Sequence, residues 1–130
     1  MIKNKLYEFD PQVYPRKLWV LYNPSYHTMA ENFLQNEEEI SFEQYSSLKH
    51  ADNGFTASVM NKNDLSLGGL IVLFKKPSIN TISHECVHFS DCVYEELGIT
   101  TQNFSEGNEA YAYLVGWASG CIESILKDKR

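Results

Sequence analysis

His84, Glu85 and His88 form the pattern H-E-x-x-H, which carries more chemical information than any other group of residues in this chain. On an α-helix, residues four positions apart lie about one turn apart on the same face, so both imidazoles can bind one metal ion. Glu85 is rotated by about 100° from His84, so its carboxylate reaches a water on that ion without binding the ion itself. The pattern predicts metal-assisted hydrolysis with Glu85 as the general base. A pattern this short also arises by chance, so the surrounding elements have to support it.

The segment from Ser78 to Leu97 is predicted to form the helix that presents these residues. Ser78 or Asn80 can cap its start, and Gly98 is the residue type that ends helices in the left-handed conformation. Apolar residues form one stripe along this helix, at Ile79, Ile82, Cys86, Phe89, Val93 and Leu97. The opposite face carries His84, His88, Asp91 and Glu95. The two histidines are therefore expected to face away from the core.

Other metal-ligand residue types in this helix are less suitable than the histidines. Cys86 lies within the apolar stripe and is expected to be a buried apolar side chain. Asp91 and Cys92 follow His84 by seven and eight residues, which is roughly 10–12 Å along a helix axis. Metal–ligand bonds of about 2 Å do not bridge that span. Asp91 is therefore expected to contact solvent or the residues around the ion.

A third ligand has to come from another element, and Glu109 is the main candidate. Residues 105–109 are predicted to open a second helix, with Ser105 as its N-cap and acidic residues in its first turn. Glu106 is a lesser candidate, and Glu109 can alternatively be a solvated acid at a helix start. Two imidazoles and a carboxylate suit one Zn²⁺ per chain.

The second helix is expected to press against the H-E-x-x-H helix. Beyond Glu109, its small and aromatic residues share one face, at Ala112, Tyr113, Gly116 and Gly120. Small residues let two helices approach closely, so this face is predicted to pack on the two histidines and to bring Tyr113 near the metal. The other face is ordinary core, with Leu114, Ala118, Cys121 and Ile125.

The remaining elements predict a small α+β domain with three or four strands. Residues 17–23 indicate a buried strand, residues 28–36 a helix capped by Thr28, and residues 37–53 a loop or irregular helix. Two further strands are predicted at 55–61 and 67–74, joined by a hairpin turn at 61–64. Residues 1–130 are interpreted as a single domain.

Composition excludes several classes of protein. The net charge is −6, the pI is about 5.1, and the basic residues are scattered, which argues against nucleic-acid binding. No apolar run reaches membrane-spanning length, and charged residues near the start argue against a signal peptide. Three cysteines, an odd count, favour a reducing cytoplasm. The oligomeric state is not predicted by any of these features.

The pattern at His84 to His88, followed by Asn108-Glu109-Ala110, resembles the gluzincins, zinc peptidases with two His ligands and a downstream Glu ligand. The stretch from Asn108 to Trp117 also resembles small zincin-like proteins of phages and prophages. The resemblance implies a minimal zincin-like domain that hydrolyses a peptide or protein substrate, with Glu85 polarising the zinc-bound water. It also implies that an edge strand from the 55–74 hairpin pairs with the extended substrate.

Two departures from the gluzincin pattern leave the function open. Larger gluzincins have an Asp four residues after the ligand Glu, where this chain has Tyr113, and they carry an oxyanion-stabilising His or Tyr on a separate domain. The candidate substitutes for that residue are Tyr113, Tyr111, His27 and His50. One interpretation is a zinc metallopeptidase, which the intact Glu85 favours. The alternative is a non-catalytic zinc-binding module of zincin fold with a phage-associated interaction or assembly role.

Overall fold

A mixed six-stranded sheet forms the centre of the computed structural model, which describes residues 1–51 and 53–128. The strands in these residues are β1 (Leu6–Phe9), β2 (Lys17–Tyr22), β3 (Phe33–Gln35), β4 (Glu38–Glu39), β5 (Gly54–Asn61) and β6 (Leu67–Leu73). The α-helices are α1 (Tyr26–Asn32), α2 (Phe42–Ala51), α3 (Ile79–Leu97) and α4 (Glu109–Leu126). The α+β class is confirmed, but the sheet is larger than the three or four strands expected.

The strand order is β1-β2-β6-β5-β3-β4. Strands β2 and β6 pair in parallel, and every other neighbouring pair is antiparallel. Side chains alternate between the two faces of each strand. On β2, Leu18 and Val20 join the core under α3 and α4, whereas Trp19 and Leu21 join the core under α1 and α2. The sheet therefore has helices on both faces, which explains why β2 and β6 are almost continuously apolar.

The predicted elements before α3 are confirmed in part. The strands at 17–23, 55–61 and 67–74 correspond to β2, β5 and β6, and the turn between the last two is closed by Asn61 N donating to Ser66 O. The helix predicted at 28–36 is α1, but Ser25 caps it and the chain turns extended at Phe33. Residues 37–53, expected to form a loop or an irregular helix, contain the two-residue strand β4 and the ten-residue helix α2; position 52 lies outside the described residues.

Helix α3 matches its prediction closely. The Ser78 hydroxyl accepts from Thr81 N, and Gly98 ends the helix with a φ of 67°. Cys86, Phe89 and Val93 are fully buried, as the apolar stripe indicated. Ile79, at the start of that stripe, is instead exposed. The helix lies over β5 and β6, with the stripe directed to the sheet.

Helix α4 departs from its prediction at its start and in its orientation. Residues Phe104–Glu106 form a separate 3-10 turn capped by Asn103, and α4 begins at Glu109 after Asn108, so Ser105 is not its N-cap. Leu114, Ala118, Cys121 and Ile125 are buried as predicted. The face with Gly116 and Gly120 is exposed, and a Cβ built on either glycine has no described atom of another element within 4 Å. The predicted close packing through this face is wrong.

None of the described helices combines the length and the apolar character needed to cross a membrane.

Candidate functional site

A cleft of about 660 Å³ lies between α3 and β5. From α3 it is lined by His84, Glu85, His88, Asp91, Cys92, Glu95 and Glu96, and from the sheet side by Asn36 and by residues 54–58. A second groove of about 480 Å³, lined by Asn80, Ser83 and Val87, meets the first at the two histidines. The H-E-x-x-H residues therefore lie where two depressions of the surface join.

The two histidines are brought together as the helical spacing predicted. Their Nε2 atoms are 3.1 Å apart, and the ring centroids are 4.7 Å apart with the planes nearly perpendicular. Both residues are exposed. Two neutral imidazoles at this distance share one hydrogen bond, with one ring donating and the other accepting. The two ring nitrogens therefore lie close together at the mouth of the cleft.

Glu85 lies beside this pair but is only 5% exposed. Its Oε1 accepts a hydrogen bond of 2.8 Å from the Thr56 hydroxyl of β5, which also lies 3.2 Å from the main-chain oxygen of Glu85. A buried carboxylate loses much of its solvation and needs such a donor. Thr56 is therefore the side-chain donor to this carboxylate. No signal in the sequence pointed to it.

The part of β5 beside the cleft has an open edge. β3 pairs only with Met60 and Asn61 of β5, so residues 54–59 have no strand on that side within the described chain. Asn53 O and Asn61 N bond toward the β6 side. Because backbone groups alternate along an antiparallel strand, those of Gly54, Thr56 and Ser58 point to the open edge. The edge offers free backbone donors and acceptors to an extended chain.

At the far end of the cleft, polar side chains tie α3 to the rest of the molecule. Arg16 Nε donates to Glu96 Oε1 at 2.7 Å, and the Ser58 hydroxyl donates to the other oxygen of Glu96. Burial first, and then the charge of Glu96, raise the pKa of Cys92 to about 11. Cys92 is therefore a protonated thiol at neutral pH.

Asp91 lines the cleft and is held by α4. The Tyr111 hydroxyl donates to Asp91 Oδ1 at 2.6 Å. Burial, followed by this contact with Asp91, raises the pKa of Tyr111 to about 12. Because its proton is directed to Asp91, Tyr111 does not offer a free donor to the histidines.

The structure does not bring Glu109 or Tyr113 to the histidines. Glu109 is exposed, with its Cγ beside the Gly107 turn, and Tyr113 is 75% exposed. Helix α4 packs antiparallel to α3 through Tyr94 against Tyr111 and Phe89 against Trp117. None of the described lining residues of the cleft belongs to α4. The ligand helix expected from the sequence lies on the side of α3 away from β5, and Glu106, the lesser candidate, is exposed in the 3-10 turn.

The other candidates for an oxyanion-stabilising residue lie elsewhere. His27 on α1 forms a pair with Glu31, and His50 is in α2. Both helices pack on the opposite face of the sheet from α3. Asn36, in a left-handed conformation between β3 and β4, is the neutral amide that lines the cleft, and sequence reasoning did not find it.

No protein-family model, curated protein or solved structure matches this chain. Within residues 1–51 and 53–128, no three His, Cys, Asp or Glu side chains come together to hold a metal ion. The gluzincin ligand set of His84, His88 and Glu109 is not assembled, so the resemblance drawn from the sequence was wrong as a family assignment. What remains is a site of two imidazoles, a nearly buried carboxylate and an open strand edge.

Proposed function

We propose that this chain is a zinc-dependent peptidase that hydrolyses peptide bonds in the cleft between α3 and β5. The observation that carries the proposal is the convergence of the His84 and His88 nitrogens, 3.1 Å apart, beside the nearly buried Glu85 in one cleft. Two histidines that were only solvated surface residues would not require a nearly buried carboxylate beside them. A carboxylate beside two imidazoles in a cleft is a candidate general base.

The spacing of the two imidazoles fits one zinc ion. Two nitrogens at about 2.0–2.1 Å from zinc, separated by a tetrahedral angle, lie about 3.3–3.4 Å apart. The observed 3.1 Å differs from this by a few tenths of an ångström, which exposed rings can accommodate by rotation. Catalytic zinc sites usually have three protein ligands, so two imidazoles are expected to bind the ion more weakly than such sites do.

Bound by His84 and His88, the ion would supply Lewis-acid polarisation of the carbonyl and would lower the pKa of water. Glu85 then accepts a proton from the attacking water and delivers it to the amine that leaves when the C–N bond breaks. The nearly closed surroundings of Glu85 keep its carboxylate in one orientation for both transfers. Asn36 lies in the same cleft and can donate its side-chain amide to a substrate carbonyl.

The open edge of β5 supports an extended peptide as the substrate. A strand added there would bond to the backbone groups of Gly54, Thr56 and Ser58. The second groove, on the other side of the histidines, leaves room for the chain to continue past the site. Three free thiols, at Cys86, Cys92 and Cys121, support a reducing compartment such as the cytoplasm as the place of action.

A non-catalytic metal-binding module is the second candidate function. The observation in its favour is that the described residues provide no third ligand next to the histidines. Such a module would bind zinc and an extended segment without cleaving it.

The test is zinc titration by calorimetry, followed by a fluorogenic peptide screen with and without a chelator. Wild-type protein is expected to bind one zinc per chain and to lose hydrolysis with the chelator. His84→Ala and His88→Ala should lose both properties. His27→Ala is the matched control, because His27 is exposed on α1 across the sheet.

Full stoichiometric zinc binding by His84→Ala would overturn the metal site. Zinc binding without hydrolysis of any peptide in the screen would favour the non-catalytic module over the peptidase.

A further inference from the structure

We propose that Thr56 is the positioning residue for Glu85, and that it joins the substrate-binding edge of β5 to the general base. The inference rests on the proposed peptidase function. It arises from one contact between residues 29 positions apart, in which the Thr56 hydroxyl donates to Glu85 Oε1 at 2.8 Å.

Glu85 is nearly buried and has few polar partners, so its contact with Thr56 matters for its orientation. Glu85 as a whole residue is 5% exposed, and no Lys, Arg or His in the described chain forms an ion pair with it. Among the described residues, Thr56 supplies its one side-chain hydrogen bond. A desolvated carboxylate without a donor is costly, so the carboxylate stays against Thr56.

The contact also selects which oxygen performs the proton transfer. A hydroxyl has one proton and can donate it to one acceptor at a time. Thr56 donates to Oε1, which leaves Oε2 as the oxygen with both acceptor sites open to the proton of the attacking water. Thr56 is β-branched, which restricts its χ1 angle and keeps the hydroxyl directed at α3.

The main chain of Thr56 faces the open edge where the peptide would bind. An added strand would bond to the backbone N–H and C=O of Thr56. The residue that contacts the substrate through its backbone therefore holds the base through its side chain. Binding of an extended peptide is expected to fix Thr56, and with it the direction of Glu85 Oε2.

The experiment compares wild type with Thr56→Val, which keeps the shape and removes the hydroxyl, and with Thr56→Ser, which restores a hydroxyl. Thr101→Val, in an exposed loop, is the remote control. For Thr56→Val, kcat should fall by about 10- to 100-fold, the range for losing a hydrogen bond to a charged group, while KM and zinc binding stay unchanged. Thr56→Ser should recover most of the loss. A parallel measurement is the ¹³C NMR signal of the Glu85 carboxylate carbon, assigned by its absence in Glu85→Gln; it should move in Thr56→Val and return in Thr56→Ser.

An unchanged kcat in Thr56→Val, or a rise in KM alone, would overturn the positioning role. If Thr56→Val does not fold, Thr56→Ala takes its place with the same expectations. Failure of the wild type to cleave any peptide would defeat the proposed function, and the kinetic role of Thr56 with it. The NMR signal distinguishes that case, because an unmoved signal in Thr56→Val shows instead that Thr56 does not hold the carboxylate.

Discussion

Glu85 and its neighbour Cys86 point to different sides of α3, and the difference decides their chemistry. Cys86 is fully buried in the core under α3 and α4, and burial raises the pKa of its thiol. Glu85 is nearly as buried but reaches the cleft, where Thr56 donates to it. One residue along the helix, about 100° of rotation, separates a packing residue from a candidate general base.

Glu85→Gln is expected to separate zinc binding from turnover. The amide has nearly the same shape and can still accept from Thr56, but it cannot take a proton from water. Peptide hydrolysis should fall by at least ~100-fold, the scale usual for losing a general base. Zinc binding and the thermal midpoint should stay near wild type. Glu123→Gln, exposed on α4, is the control for loss of one carboxylate; a loss of zinc in Glu85→Gln would mean that Glu85 binds the ion itself.

Cys92 is expected to react slowly with thiol reagents. Burial and the neighbouring Glu96 carboxylate raise the pKa of Cys92 to about 11, so the thiol stays protonated below that pH. At pH 8.5 the thiolate fraction should be on the order of 100-fold lower than for a free cysteine. Alkylation by iodoacetamide, followed by peptide mass spectrometry, should therefore accelerate only as the pH approaches 11.

Glu96→Gln removes the negative charge beside this thiol, so alkylation of Cys92 should begin at lower pH than in wild type. An equal pH dependence in the two proteins would show that Glu96 does not act on Cys92.

At the scale of elements, two glycines, Gly69 and Gly116, distinguish a packed helix contact from an exposed helix face. A Cβ on Gly69 of β6 would lie 2.5 Å from the Phe89 ring of α3, whereas a Cβ on Gly116 of α4 would meet no described atom of another element within 4 Å. Gly69 therefore lets α3 approach the sheet closely. The histidines of α3 are brought near the sheet by the same contact. The small residues of α4, which the sequence suggested as a packing ridge, have no such role.

Gly69→Ala and Gly116→Ala should change stability in opposite directions. A Cβ on Gly69 would lie 2.5 Å from the fully buried Phe89 ring, so Gly69→Ala should destabilise the protein by about 1–3 kcal/mol, typical of overpacking. Gly116→Ala should stabilise it by about 0.5–1 kcal/mol, because alanine has the better helix propensity at an exposed position. Urea unfolding measures both. A destabilised Gly116→Ala would contradict the exposed placement of this face.

At the scale of the whole molecule, charge is expected to select among peptide substrates. The chain has a net charge of −6, and the cleft wall carries Asp91, Glu95 and Glu96. In the described chain, only Glu96 of these three forms an ion pair. The field in the cleft is therefore negative, and it acts over roughly 10 Å at ordinary ionic strength.

Peptides with Lys near the cleaved bond should have a kcat/KM about 3- to 30-fold higher than matched peptides with Glu, given the size of such interactions near a protein surface. The preference should weaken as salt is added. It should also shrink when Asp91→Asn and Glu95→Gln are combined, while Glu123→Gln leaves it unchanged. Equal rates for Lys and Glu peptides at low salt would contradict this expectation.

Local sequence patterns were sufficient to predict the position of α3 and the grouping of His84, Glu85 and His88 on it. The Ser78 cap, the Gly98 stop and the apolar stripe act within one helix, and they place His84, Glu85 and His88 together whatever surrounds them. Strands β2, β5 and β6 were likewise visible in runs of apolar or alternating residues. Short elements such as β1 and β4 were not, because their four and two residues carry too little periodicity and depend on pairing with distant strands.

Tertiary structure alone decided what meets the histidines. The sequence showed that α4 has an apolar face and a small-residue face, but not which side of α3 it would occupy. Burial of Leu114, Ala118 and Ile122 with β2 and β6 placed α4 away from β5, which left Glu109 in solvent. The contact of Thr56 with Glu85 likewise depends on α3 lying across β5. The spacing of nearby residues determines which side chains share a face of a helix. The position of the helix on the sheet depends on the sum of apolar contacts between residues distant in sequence, which local spacing does not reveal.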